Sequence, residues 1–174
     1  MTLEKCQCGQ NYEHHSGPTH AFLGASAGCW KAYGQVLALE YKDPKRWEGH
    51  RYTVDAYACQ HPGRCEPRTI ESINLHLVSL CLVLERGMST DFATQNAIRI
   101  PNELNPRWIE PPTSFGSIGI ADLLRVQNSE EHLKLSREYA REVWQSWGRS
   151  HALIHKYCDW ICDSVASTRP KDLS

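Results

Sequence analysis

The stretch that decides the fold is T-I-E-S-I-N-L-H-L-V-S-L-C-L-V-L-E-R, at residues 69–86. From residue 75 to residue 84 its side chains are apolar on nearly every face, as expected of a helix that other helices surround. Gly87 follows at a position where glycine commonly ends a helix. His76 lies inside the apolar run, where an imidazole needs a hydrogen-bond partner or a metal ion. The stretch therefore predicts a central helix that carries one candidate functional residue.

Amphipathic segments flank this central helix on both sides. Apolar residues recur at steps of three and four, which indicates helices, over residues 26–42, 45–60, 89–100, 118–126 and 128–165. Residues 101–118 contain four prolines and predict a loop or a lid across the bundle. We therefore expect an all-α, single-domain bundle of five or six helices over residues 1–174, with an irregular N-terminal segment and a frayed tail at 168–174.

Composition and charge restrict the class of protein. The chain has 174 residues, enough for one domain with a core, and its formal net charge of -1 does not favour nucleic acid as a partner. No apolar run approaches the length of a membrane span, and residues 1–10 lack the apolar core of a signal peptide. We therefore expect a cytoplasmic protein without a nucleic-acid or membrane partner, with a small-molecule substrate as an open alternative.

Cysteine and histidine are unusually frequent, with eight and nine residues respectively. Disulfides are rare in a reducing compartment, so metal binding, core packing or thiol reactivity are the remaining uses of the cysteines. Residues 1–24 are poor in apolar side chains, and a bound metal ion would supply the free energy that orders them. The candidate ligands form a Cys3His set suited to tetrahedral zinc, made of Cys6, Cys8, His20 and Cys29.

A second concentration of reactive side chains is D-A-Y-A-C-Q-H-P-G, at residues 55–63. Because the residue before a proline disfavours the α conformation, the preceding helix should end near Gln60 and leave His61 on the exit turn. There the imidazole is free to act as a ligand or a base. A simpler interpretation of this stretch is about as well favoured as the functional one. In it, His61 is a cation near a helix C-terminus, and Asp55 pairs with Arg51 one turn earlier.

The last predicted helix carries histidines and cysteines on the stripe that also holds two tryptophans. For His151 this pattern favours a functional role, whereas His155, Cys158 and Cys162 are interpreted as core residues. We predict that ligands from separate helices meet at a second metal site, for zinc, iron or manganese. The ligands would be His61, His76 and His151, with Asp55 as a ligand, an orienting group or a base.

Three functions are compatible with these patterns. The first is a metal-dependent enzyme of hydrolytic type, in which the metal activates water and Asp55 and His61 are catalytic. The second is a non-catalytic, zinc-stabilised interaction module, in which the three histidines lie apart and each forms ordinary hydrogen bonds. The third is a thiol-based metal or redox sensor, which would use Cys59, Cys65, Cys158 or Cys162.

Four motifs resemble those of an uncharacterised bacterial domain family of unknown function. They are G-P-T-H at 17–20, G-C-W at 28–30, D-A-Y-A-C-Q-H-P-G at 55–63 and L-H-L-V-S-L-C-L-V-L-E-R-G at 75–87. The resemblance covers nearly the whole chain and implies no particular reaction. The family begins with C-x-x-C-G, whereas this chain reads K-C-Q-C-G. Cys8 matches the second cysteine, Lys5 stands in the place of the first, and Cys6 replaces that cysteine by a shift within the loop.

Overall fold

The apolar stretch forms α4 (Pro67–Leu84), the central helix. Leu77, Val78 and Leu82 on this helix are completely buried. Beyond its end Gly87 adopts a φ of 64°, and the Met88 N–H donates to the Leu82 carbonyl at 2.9 Å. This is the glycine-dependent reversal that the sequence predicts.

The other helices pack against α4 or against its neighbours. In chain order they are α1 (Ala27–Lys42), α2 (Pro44–Trp47), α3 (His50–Gln60), α5 (Thr90–Ala97), α6 (Arg99–Glu103), α7 (Ile120–Arg125), α8 (Ser129–Ser146) and α9 (His151–Thr168). α3 packs between α4 and α8, while α5 and α9 also contact α4. The predicted all-α class is confirmed as a mostly helical, single-domain fold.

This structure is a computed structural model that describes residues 2–168. The tail predicted at residues 168–174 lies outside the described residues, apart from Thr168 at the end of α9. Within the described range, none of the helices combines the length and the apolar character needed to cross a membrane.

Two predicted helices are each divided in the structure. The segment at 45–60 breaks before His50, where Gly49 lies against α8; a Cβ on Gly49 would lie 2.5 Å from the Ser136 hydroxyl oxygen. The segment at 128–165 breaks at Trp147 and continues through a 3-10 turn at Gly148–Ser150. Trp147 is held in the core, and its Nε1–H donates to the Cys59 carbonyl at 3.2 Å. Glycine is a poor helix former, so the helix ends beside this anchor.

The N-terminal segment is more regular than the sequence predicts. β1 (Leu3–Lys5) and β2 (Asn11–Glu13) form an antiparallel hairpin. In the connecting loop Gly9 adopts a φ of 90°, which favours glycine, and its N–H donates to the Cys6 carbonyl at 2.9 Å. The Cys6 N–H in turn donates to the Gln10 carbonyl at 2.9 Å. The tight loop folds back between Cys6 and Gln10.

A buried carboxylate joins three of the helices. Glu40 on α1 is completely buried, and its Oε2 accepts a hydrogen bond from His50 Nδ1 on α3 at 2.8 Å. Its Oε1 accepts from the Thr53 hydroxyl at 2.6 Å and from His132 Nε2 on α8 at 2.9 Å. Burial by itself would raise the pKa of Glu40, but the hydrogen bonds from His132, His50 and Thr53 lower it. The ionised carboxylate therefore stabilises the packing of α1 against α3 and α8.

Replacing this carboxylate should destabilise the protein in a pH-dependent way. Glu40→Gln is expected to lower the free energy of unfolding by about 3 kcal/mol at neutral pH, because buried partners lose their counter-charge. The folded-state pKa lies below 4.5, so the stabilisation is present above that value and is lost as the pH falls further. Urea denaturation of both proteins at neutral and acidic pH measures whether their difference shrinks in acid.

The matched control for this experiment is Glu48→Gln. Glu48 is exposed, and among the described residues its ion-pair partner is the exposed Lys45, at 3.5 Å. Its replacement should change the free energy of unfolding by less than about 0.5 kcal/mol. Equal stability of the wild type and Glu40→Gln at neutral pH would contradict the proposed role of the buried carboxylate.

Candidate metal centre

Three thiols and one imidazole meet beneath the N-terminal hairpin. The Sγ atoms of Cys6, Cys8 and Cys29 and one ring nitrogen of His61 all lie within 4.8 Å of one another. Cys29 and His61 are completely buried, and the other two cysteines are at most 8% exposed. Tetrahedral zinc is typically bound by such a Cys3His set. The cluster is therefore able to hold a metal ion with four protein ligands.

Three separate parts of the chain supply the four side chains. Cys6 and Cys8 lie in the loop between β1 and β2. Cys29 lies in the first turn of α1, where its N–H donates to the capping Ser26 hydroxyl at 3.3 Å. His61 is the residue at which α3 ends. An ion bound here would join the hairpin to both helices.

Hydrogen bonds outside the cluster orient His61 as a ligand. Its Nδ1–H donates to the Tyr57 carbonyl at 2.8 Å, so the second nitrogen, Nε2, is the one that faces the thiols, 3.3 Å from the Cys29 sulfur. Metal-bound histidines usually donate their other N–H in this way. Two further donors reach the sulfurs: the Tyr57 hydroxyl lies 3.5 Å from Cys29 and the Ser26 N–H lies 3.3 Å from Cys6.

The electrostatics of the cluster favour thiolate formation. Hydrogen bonds from Cys29 and Cys8 lower the pKa of Cys6, and the same contact with Cys6 raises the pKa of Cys29. Burial by itself would lower the pKa of His61, but Cys6 and Cys8 raise it to about 9. Without a metal ion, this places a Cys6 thiolate near a protonated His61. A divalent cation would displace the Nε2 proton of His61 and the protons of the thiols that remain protonated.

Two glycines allow the backbone to pack closely around the cluster. A Cβ on Gly28 would lie 2.5 Å from the Glu13 carbonyl oxygen of the hairpin, and one on Gly63 would lie 2.2 Å from the Phe22 carbonyl oxygen. The Gly24 N–H also donates to the His61 carbonyl at 3.1 Å. The hairpin and the segment after it are thus pressed directly against α1 and the end of α3.

His20 is not part of the cluster, and the predicted ligand set needs a correction. Its Nδ1 accepts from the Phe22 N–H at 3.4 Å, and its ring lies 5.0 Å from the Trp30 ring, edge to face. Trp30 follows Cys29 on α1, and consecutive helical side chains point about 100° apart. The contact with Trp30 therefore directs His20 away from the thiols, and His61 takes its place beside them.

The second predicted constellation is also corrected, because the structure places its histidines in three different surroundings. His61 lies among the cysteines, whereas His76 donates from Nδ1 to Asp55 Oδ1 at 2.7 Å. His151 donates from Nε2 to the Trp144 carbonyl at 3.0 Å and stacks on the Trp144 ring at 3.9 Å. His151 does not meet the other two histidines because the helix breaks before α9. The break separates His151 from the helical stripe that the sequence suggested.

Asp55 forms a polar group of its own. Only 1% of it is exposed, and its second oxygen accepts from Arg51 Nε at 2.9 Å and from the Ser79 hydroxyl at 2.5 Å. For Asp55 the sequence offered a functional role or a simple ion pair with Arg51, and the ion pair is present. The contribution of Ser79 escaped the sequence analysis, because a serine inside an apolar helix gives no signal of its partner.

Comparison with known proteins identifies one related family. The model of a family of unknown function (DUF5946) matches residues 4–148. This match confirms the resemblance to an uncharacterised family, and it includes all four residues of the Cys3His cluster. No curated protein and no solved structure matches the chain.

Substitution of single ligands should distinguish the observed set from the one expected from the sequence. Cys29→Ser and His61→Ala are expected to lose the tightly held zinc, because each variant keeps three of the four ligands and leaves the fourth coordination position without its native ligand. His20→Ala should retain about one zinc per chain, since the described contacts of its ring are with Phe22 and Trp30 and not with the thiols. Elemental analysis after dialysis measures this. Retention of zinc by His61→Ala together with its loss from His20→Ala would restore the original assignment.

Proposed function

The chain belongs to a family of unknown function, and on the geometry of its buried cluster we propose that it is a zinc-stabilised helical module. In this proposal Cys6, Cys8, Cys29 and His61 hold one structural Zn²⁺. The observation that carries it is the number of buried side chains: four potential protein ligands lie together, which is enough to complete a tetrahedral zinc shell, whereas catalytic zinc keeps one position for water. The ion would therefore stabilise the fold and take no part in a reaction.

The N-terminal hairpin is the part that would depend on the ion. Its strands have three residues each, and a short two-stranded hairpin is at best marginally stable. Its other anchors include a hydrogen bond from Gln10 Nε2 to Asp122 Oδ2 at 2.9 Å and one from the Gly28 N–H to Glu4 Oε1 at 3.3 Å. Such hydrogen bonds contribute less to stability than a structural zinc ion.

The placement of the other histidines favours the module over the metal-dependent enzyme. The enzyme required His61, His76 and His151 around one ion. The module requires them apart, each with ordinary hydrogen bonds, as their contacts with Tyr57, Asp55 and Trp144 provide.

The thiol-sensor alternative receives less support from the surroundings of its cysteines. Cys59 and Cys158 are completely buried. Burial raises the pKa of Cys59, and the hydrogen bond with Cys81 together with burial raises that of Cys158. Buried thiols with raised pKa values are poor nucleophiles. Cys65 is exposed and Cys162 is partly exposed, with a pKa that burial raises.

Removal of the metal should destabilise the protein as strongly as removal of a ligand. Chelation is expected to lower the Tm by about 10 °C or more, which corresponds to several kcal/mol for a chain of this size. Cys29→Ser should melt near the temperature of the chelated wild type and respond no further to chelator, because both changes abolish one interaction. Calorimetry with and without chelator measures both values.

His20→Ala is the control for this comparison, and it should keep the full response to chelator. A wild-type Tm that does not change when the metal is removed would refute the structural role. Additive effects of chelation and Cys29→Ser would refute it as well.

One further arrangement favours a second candidate function, acid–base catalysis at His76. Asp55 holds His76 by Nδ1, which leaves Nε2 as the free nitrogen of the ring. His76 also lines a surface groove of about 440 Å³, together with Arg68, Glu71 and Ser72. A carboxylate that orients an imidazole beside a substrate-sized groove is the arrangement of a general base. The substrate would be a small polar molecule with a hydrolysable bond.

Hydrolysis of an activated ester, p-nitrophenyl acetate, tests this second candidate. His76→Ala should remove the catalysed rate, and Asp55→Asn should lower it by about 10²-fold or more, because the imidazole loses its orienting partner. His151→Ala removes an imidazole that hydrogen-bonds to the Trp144 carbonyl and not to Asp55, and it should leave the rate unchanged. An unaltered rate in His76→Ala would exclude this site as the source of the activity.

A further inference from the structure

A second group of potential metal ligands lies between α4 and α9. The Sγ atom of Cys81, a carboxylate oxygen of Glu85 and a ring nitrogen of His155 all lie within 4.8 Å of one another. Cys81 and Glu85 are four residues apart at the end of α4, so their side chains lie on the same face. His155 reaches them from α9, one turn beyond its start. Two helices thus bring sulfur, oxygen and nitrogen donors to one point.

An outer contact fixes the carboxylate in this group. Trp144 Nε1–H donates to Glu85 Oε1 at 2.7 Å, and the other oxygen, Oε2, accepts from His155 Nε2 at 2.6 Å. The Trp144 ring is itself stacked on His151, with ring centres 3.9 Å apart. Partners of this kind orient the ligands of metal ions. The hydrogen bond from the core residue Trp144 therefore fixes the position of the Glu85 carboxylate.

The simpler interpretation is a surface ion pair beside a core cysteine. The side chains of His155 and Glu85 are 38% and 36% exposed, and ion pairs of this type contribute little to stability. Under that interpretation the Cys81 thiol only packs in the core and hydrogen-bonds with Cys158. α4 and α9 are also joined nearby by Arg86 and Asp159, at 2.6 Å, without any sulfur atom. The thiol is the feature that distinguishes a ligand set from an ion pair.

We propose that Cys81, Glu85 and His155 form a second site for a divalent transition metal ion, with Zn²⁺ as the expected occupant. Thiolate, carboxylate and imidazole are all zinc ligands, and Co²⁺ binds to the same donors. Three protein ligands leave one tetrahedral position for water. Solvent reaches Glu85 and His155 directly, so this ion exchanges more readily than one held by the four buried ligands of the first centre.

Titration of the full chain with Co²⁺ tests this site while the first centre keeps its tightly held zinc. We expect one additional Co²⁺ per chain, with thiolate-to-cobalt charge-transfer absorption. His155→Ala and Glu85→Gln should each weaken binding by at least about 10-fold, and Cys81→Ser should abolish the charge-transfer absorption. Zinc analysis before and after the titration separates the two centres. If the first centre does not hold zinc, the protein lacks zinc at the start or loses it to Co²⁺ during the titration.

The matched control is Asp159→Asn, which breaks the nearby ion pair between Arg86 and Asp159 and should leave Co²⁺ affinity unchanged. If Cys81→Ser does not fold, the two exposed variants still decide the outcome, since neither side chain belongs to the core. Three results would overturn the proposal: no additional Co²⁺, additional Co²⁺ without thiolate absorption, or unchanged affinity in both His155→Ala and Glu85→Gln.

Discussion

The convergence of three sulfurs and one imidazole is the constraint on which the N-terminal part of the structure depends. The hairpin buries little apolar surface of its own, with Tyr12 as its one fully packed aromatic side chain among the described residues. Its position is defined by Cys6 and Cys8, which face Cys29 at the start of α1 and His61 at the end of α3. A metal ion shared by these residues would replace the apolar core that this segment lacks.

The end of α3 connects that centre to the remainder of the bundle. Gln60, the residue before His61, donates to the Ile118 carbonyl at 2.9 Å and accepts from the Tyr139 hydroxyl at 2.7 Å. The Cys59 carbonyl accepts from Trp147 at the break between α8 and α9. Consecutive residues thus belong to the Cys3His cluster or contact the loop before α7 and the α8–α9 junction. This explains why one short stretch concentrates so many polar side chains in an otherwise buried position.

The sequence predicted most of the helices, because periodicity and helix ends are local properties. The apolar run around Leu77, the glycine after it and the capping Ser26 all act within a few residues of their own position. The division at Trp147 was not predictable in this way, because it depends on a hydrogen bond to Cys59 on another helix. The hairpin was missed for a related reason: strands of three residues are too short to show an alternating pattern.

The candidate site was predicted in its residue types and only partly in its grouping. Cys6, Cys8 and Cys29 were placed together because they are close in sequence. The choice between His20 and His61 depends on which ring the fold directs at the thiols, and spacing carries no information about that. The turn before Pro62 was the available signal, since it marked His61 as a ligand held outside a helix.

X-ray absorption spectroscopy of the protein carrying one equivalent of zinc tests the central claim most directly. The account predicts three sulfur neighbours at about 2.3 Å and one nitrogen neighbour at about 2.0–2.1 Å, with no water ligand. A shell dominated by nitrogen and oxygen, or one in which a water molecule replaces the imidazole, would contradict it.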